Sequence, residues 1–211
     1  LVEGPDGQYY GVFLAIRPNE ANRVNTGRET FILPVDWSGT FPVFKGGLEP
    51  IQPKLAMPQG VKNETGKNGY FPNGNFTFTE TFTGSSLDYR WVGVRGAREG
   101  FISTTAEGLT ITPYETNIKA VLPTSTLFYR QQHLNFTATT TLKYVPRTEK
   151  DLAGITCYQS EKFNYVFGVT KKAEDSYIVL QRTEKGESST IASEKIEGNT
   201  PISLRVTAEG D

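Results

Sequence analysis

Apolar residues return at every second position in several short stretches of the chain. Across residues 134–144, Leu134, Phe136, Ala138, Leu142 and Tyr144 share one parity, while Asn135, Thr137, Thr139, Thr141 and Lys143 share the other. Successive strand side chains point to opposite faces, so this pattern predicts a strand with one buried face. The same alternation predicts strands over 76–82, 163–169 and 202–206, and residues 8–16 and 29–35 read as two more. No window of comparable length carries an i, i+3, i+4, i+7 apolar stripe, so helix is at most a minor element. The chain is expected to be all-β.

Turn-forming residues then divide the chain. The 21 Gly and 12 Pro are densest in 46–74, which holds Gly46-Gly47, Pro50, Pro53, Pro58, Gly60, Asn68-Gly69 and Pro72-Asn73-Gly74 without periodicity. Residues that fix or free φ at such density read as a connector over a surface. The expected organisation is a segment over 1–45, a linker over 46–74 and a β-sandwich over 75–211. About eight strands, roughly 8–15 residues apart, follow the linker, as expected of a sandwich. The first segment has too few strands to close a core and is expected to be a remnant of something larger. Both ends look cut, since Leu1 is not Met and Asp211 follows the last strand closely. Unpaired strand edges make 1–45 the less stable part.

Charge and special residues remove whole classes of function. With 22 Lys+Arg against 23 Asp+Glu, a net charge of −1 and a pI near 6.0, the chain offers no basic stripe to neutralise phosphates, so no nucleic-acid partner is expected. A membrane-spanning helix needs about 20 consecutive apolar residues. The longest apolar run, 11–16, stops at Arg17-Pro18, so no membrane partner is expected and the chain should be soluble. The lone Cys157 cannot form an internal disulfide, and the lone His133 cannot build a His-rich zinc site, so no metal is expected.

The remaining chemistry-bearing residues read blandly. His133 shares parity with Asn135 and Thr137, which puts it on the polar face of a strand and leaves a serine-type triad unsupported. Cys157 reads as a packed strand residue. The glycine-rich stretch 93–100 matches no phosphate loop and reads as turns, with Arg95 and Arg98 solvated or paired. Glu3, Asp6, Glu29 and Asp36 are among the acids of the first segment, and no spacing selects an acid and base pair from them. Sequons begin at Asn63, Asn75 and Asn135.

Two strings carry more: Gly27-Arg28-Glu29-Thr30-Phe31-Ile32-Leu33-Pro34-Val35 with Trp37 after it, and Arg130-Gln131-Gln132-His133-Leu134-Asn135-Phe136-Thr137. With Gly4-Pro5-Asp6-Gly7-Gln8-Tyr9-Tyr10, Val12-Phe13-Leu14 and Arg17-Pro18, they make the chain resemble glycoside hydrolase family 43, the β-xylosidase and α-L-arabinofuranosidase group. The resemblance implies a remnant of a five-bladed β-propeller over 1–45, followed by most of a concanavalin A-like, jelly-roll β-sandwich. It implies a glycosidase acting on xylo- or arabino-oligosaccharides from an extracellular or periplasmic home.

The family's three catalytic carboxylates lie upstream of the position of Leu1. No catalytic residue is therefore assigned, the chain by itself is expected to be inactive, and its partner is the missing propeller portion of the same polypeptide. Arg28 matches a family arginine at the sugar-binding pocket, where a rigid fork of donors can hold two sugar oxygens. Arg130, Gln132 and His133 are expected to form a polar cluster at a domain interface. No cofactor is expected. Some family members hold calcium, but no Asp-rich loop able to supply six to eight oxygens is visible here. The alternative is a non-catalytic carbohydrate-binding or architectural sandwich, for which Tyr70, Phe71, Trp91 and Phe101 are the candidate aromatics. An adhesin-like interaction domain fits the composition but leaves the 27–35 string unexplained.

Overall fold

The structure is a computed structural model that describes residues 1–47, 49–52, 54–62, 74–96, 100–198 and 201–210. Among them are fourteen strands and no helix, so no helix is long and apolar enough to cross a membrane. The chain forms two compact units. One is Leu1–Phe78 with Gln131–Leu134, and the other is Thr79–Arg130 with Asn135–Gly210.

The first unit is built on an antiparallel sheet in chain order, β1 (Val2–Glu3), β2 (Tyr9–Ile16), β3 (Arg28–Asp36) and β4 (Val43–Phe44). β2 and β3 pair from Tyr9↔Val35 to Ile16↔Arg28. Period two sends Phe13 and Phe31 to one face, where their rings stack at 6.3 Å and Phe44 lies 5.1 Å from Phe13. The Phe44 ring lies directly over Gly11, where a Cβ would run into it unless the ring shifted. Val12, Leu14, Ile16 and Ile32 occupy the opposite, exposed face.

Residues 76–82 depart from the expected strand. Phe76, Phe78, Glu80 and Phe82 do alternate inward, yet no ladder forms and Phe82 turns to φ +57°. Alternation specifies an extended chain with two faces; it does not supply a neighbour to pair with.

In the second unit a meander runs through β10 (Leu152–Ser160), β11 (Phe163–Lys172), β12 (Asp175–Glu184) and β13 (Glu187–Ile196). Separate two-stranded ladders join β9 (Phe136–Leu142) to β14 (Ile202–Ala208), β5 (Trp91–Val92) to β8 (Phe128–Tyr129), and β6 (Ile102–Thr105) to β7 (Gly108–Ile111). Lys185 and Gly186 both take positive φ between β12 and β13, the backbone a two-residue hairpin turn needs. The core centres on Val169, Val179 and Leu204, each at most 2% exposed. β11 is a strand as expected, but the inward parity of its first half is reversed. Asn164 is buried and donates to the Ser160 carbonyl at 3.0 Å, while Phe163 and Tyr165 stand in solvent. A buried amide is tolerated because that bond replaces water.

Candidate functional site

Arg28 opens β3 opposite Ile16 at the end of β2. Its side chain is exposed and makes no hydrogen bond or ion pair with a described residue. The neighbouring acid explains that freedom. Glu29 is already occupied, its Oε1 and Oε2 accepting from Arg17 Nη2 at 3.0 Å and Nε at 3.1 Å, with the Thr26 hydroxyl donating to Oε2 at 3.1 Å. A two-bond guanidinium–carboxylate pair is geometrically selective. Arg17 then uses Nη2 a second time, donating to the Gln132 carbonyl at 3.0 Å.

Three separated strings thus meet in the first unit: Arg17-Pro18, the Gly27 to Val35 string, and 130–137 through Gln132. His133 is held there too. Its Nε2 lies 2.8 Å from the Gly74 carbonyl, its ring meets Phe76 edge-on at 5.2 Å, and the Gln131 side-chain amide donates to the His133 carbonyl at 2.8 Å. The expectation of a strand position for His133 is corrected. β9 begins only at Phe136, and the half-buried imidazole is anchored by a backbone oxygen and an aromatic ring. Arg130 is exposed and falls in the second unit.

Two further acids of the first segment, Asp6 and Asp36, serve turns. Asp6 accepts from the Gln8 amide at 3.1 Å and the Tyr10 hydroxyl at 3.0 Å, and Asp36 accepts from the Ser38 amide at 2.8 Å. Ser38's amide and hydroxyl hold the Asp36 carboxyl below the usual carboxylate range against burial, and Lys45 adds to this. Among the described residues, no group of three or more His, Cys, Asp or Glu converges to hold a metal ion.

Of the aromatics considered for sugar binding, Trp91 is half-buried between Phe82 at 4.9 Å and Tyr129 at 5.5 Å, and Phe101 packs on Tyr114 at 5.3 Å. Tyr70 and Phe71 lie outside the described residues, as do Arg98 and the sequon at Asn63. Asn75 and Asn135 are exposed, and Asn135 Oδ1 accepts from the Gly210 amide at 2.6 Å. Arg95 is paired, with Nη2 2.8 Å from Glu161 Oε2 and Nη1 3.1 Å from the Ala120 carbonyl. Cys157 lies on β10 but is exposed, which corrects its reading as a packed residue.

Sequence reasoning missed the Arg17–Glu29 pair. Opposite charges at the loop end of one hairpin, Arg17 one residue beyond the β2–β3 register and Glu29 within it, were the available signal.

The description "Beta xylosidase C-terminal Concanavalin A-like domain" matches residues 79–211, beginning at the first residue of the second unit. A non-reducing-end α-L-arabinofuranosidase of Bacteroides ovatus is 25% identical over 99% of this chain and 38% of its own length. A xylosidase/arabinosidase of Butyrivibrio fibrisolvens is 28% identical over 91% of this chain and 36% of its own. The chain therefore spans well under half the length of these relatives. The crystal structure of a GH43_12 protein from a capybara gut metagenome superposes with a TM-score of 0.85 at 50% identity, over 96% of this chain and 39% of that one.

Proposed function

Because this chain belongs to the glycoside hydrolase family 43 proteins that carry a β-xylosidase C-terminal concanavalin A-like domain, we propose that it is the C-terminal part of a glycosidase cleaving xylosidic or arabinofuranosidic bonds in hemicellulose-derived saccharides. Residues 1–45 then end a β-propeller, residues 46–74 link it to the sandwich over 75–211, and the preceding propeller portion of the polypeptide is the chain's partner. That portion supplies the acid and base of an inverting hydrolysis, two carboxyl groups about 6.5–9.5 Å apart with the attacking water between them. An extracellular or periplasmic location goes with such a substrate.

The observation that carries this reading is that the Arg28 guanidinium pairs with no described residue, while the neighbouring Glu29 is already engaged by Arg17 and Thr26. Left unpaired, the fork can present parallel N–H groups to two sugar hydroxyl oxygens, orienting the glycosyl unit for the carboxylates. In the complete glycosidase, Arg28→Ala should lower kcat/KM about 100-fold, since charged hydrogen bonds to a positioned ligand are lost. Arg28→Lys should recover little, because one ammonium cannot reproduce the fork. Unchanged kcat/KM on 4-nitrophenyl xyloside and arabinofuranoside would remove Arg28 from the pocket.

The 211-residue chain by itself should leave both substrates unhydrolysed, since loss of an acid or base alone forfeits roughly 10²–10⁴-fold in rate. Sustained turnover by this chain would place acid and base within it and end the reading.

A further inference from the structure

Arg28 is the first residue of β3 and its ladder partner Ile16 is the last of β2, so the loop over 17–27 lies directly between them. A side chain at the open end of a ladder takes its direction from whatever fixes the adjoining loop. Glu29 pairs across the ladder with Ala15, which puts Arg17 two residues further along on the same face, within the diagonal reach of a long side chain. Arg17 donates to both Glu29 oxygens, and the Thr26 hydroxyl, on the other side of Arg28 in sequence, donates to Glu29 Oε2. Arg28 thus lies inside a short segment whose ends, Thr26 and Glu29, are bonded to each other, with Gly27 turned to φ +73° between them.

This clamp has an outer anchor. Arg17 Nη2 also donates to the Gln132 carbonyl at 3.0 Å. The segment that presents that carbonyl is fixed in turn, the Gln131 amide donating to the His133 carbonyl at 2.8 Å and His133 Nε2 lying 2.8 Å from the Gly74 carbonyl. All of these residues belong to the first unit. The contacts therefore run from Gly74 through His133 and Gln132 to Arg17, and on to the Glu29 and Thr26 that flank Arg28.

Closing the hairpin does not account for the arrangement. β2 and β3 already pair without interruption from Tyr9↔Val35 to Ile16↔Arg28. A clamp that served only to join two strands would need no further bond to a residue 115 positions away. Neighbouring strand residues point to opposite faces, so Arg17 and Glu29 hold the backbone from one face while Arg28 projects from the other.

We propose that Arg17 and Glu29 are positioning residues of the glycosidase that act through Arg28. They fix the start of β3 so that the guanidinium meets two sugar oxygens in one orientation, with the Gln132 carbonyl as their anchor. This role rests on the reading that Arg28 contacts the glycosyl unit. Glu29, committed to Arg17 and Thr26 through its two oxygens, serves as an anchor and not as the acid or base.

A double-mutant cycle in the complete glycosidase tests the role, with kcat/KM read on 4-nitrophenyl xyloside and arabinofuranoside. Glu29→Gln keeps the side chain's shape but turns one acceptor oxygen into an N–H donor facing a guanidinium. It should lower kcat/KM about tenfold, because a displaced contact group loses much of its orienting effect. In the Arg28→Ala enzyme the same change should cost less than about twofold, since the residue it acts through is gone. A merely structural loss would multiply undiminished into the Arg28→Ala background. Arg17→Lys keeps the charge without the fork and should cost about fivefold, with the same dependence on Arg28; it carries the test if Glu29→Gln fails to fold. Full multiplication in the Arg28→Ala enzyme, or unchanged kcat/KM in both variants, overturns the positioning role while Arg28→Ala alone still costs about 100-fold. If Arg28→Ala alone is silent, the reading of Arg28 as a sugar contact falls, and the positioning role falls with it.

Discussion

Asp151 shows how much one side chain can organise. Its Oδ2 accepts from the Arg147 amide at 2.7 Å, the Thr148 amide at 3.3 Å and the Tyr144 hydroxyl at 3.3 Å, while Oδ1 accepts from the Thr148 hydroxyl at 2.7 Å. Its backbone carbonyl takes a further bond from the buried Thr170 hydroxyl at 2.6 Å. The Arg147 amide first, and the Thr148 hydroxyl next, hold the carboxyl below its usual range, outweighing the opposing effect of burial. Asp151→Ala should destabilise the second unit by about 1–2 kcal/mol at pH 7. A lowered folded-state pKa means the stabilisation is complete above the unfolded value near 3.9 and is lost as pH falls through the lower folded value. Urea unfolding at pH 7 and again near pH 3 checks the sign. The gap between wild type and variant should narrow at the acid end, and an unchanged gap would contradict the assignment.

Individual elements are constrained by close backbone contact and by edge protection. Gly154 of β10 and Gly168 of β11 are register partners. A Cβ on Gly154 would strike the Phe167 carbonyl and Gly168 Cα, and one on Gly168 would strike the Ala153 carbonyl. Neither position needs positive φ, so the reason for glycine here is space. Gly168→Val should cost about 2 kcal/mol, roughly 4–8 °C in the melting temperature of the second unit, and a melting temperature within a degree of wild type would show that the sheet relaxes freely. β13 borders this sheet with its residues from Glu187 to Lys195 exposed, and the register slips at Leu180/Gln181 so that Ile191 has no partner in β12. A bulge on a polar edge strand discourages pairing with other chains.

The two units differ in what they bury. Val169, Val179 and Leu204, the most buried apolar side chains described, belong to the second unit, and Val35 at 5% is the buried hydrophobic of the first. Opening of a segment is governed by the apolar burial that opposes it. Limited proteolysis of the chain should therefore cut first within residues 1–78. First cuts within 150–211 would reverse that order of stability.

Strand type and position were legible where one face is apolar over several alternations. Residues 8–16, 29–35 and 202–206 are all strand but for Gln8, because solvent and core select opposite parities of the same extended chain. Alternation could not distinguish a paired strand from an extended segment, so 76–82 lacks a ladder, and Asn164 displaced Phe163 and Tyr165 from the interior once a carbonyl stood within its reach. Arg28 was legible through the motif around it. The grouping of Arg17, Glu29, Gln132 and His133 was not, since their contacts join positions up to 115 residues apart, and no local pattern encodes such a distance. The sequence by itself determined an all-β chain, its turn-rich middle and the family it resembles, all of which follow from local periodicity and short motifs. Tertiary structure alone decided which strands pair, which acid is saturated and which aromatic rings stay in solvent, because those depend on neighbours that only folding brings together.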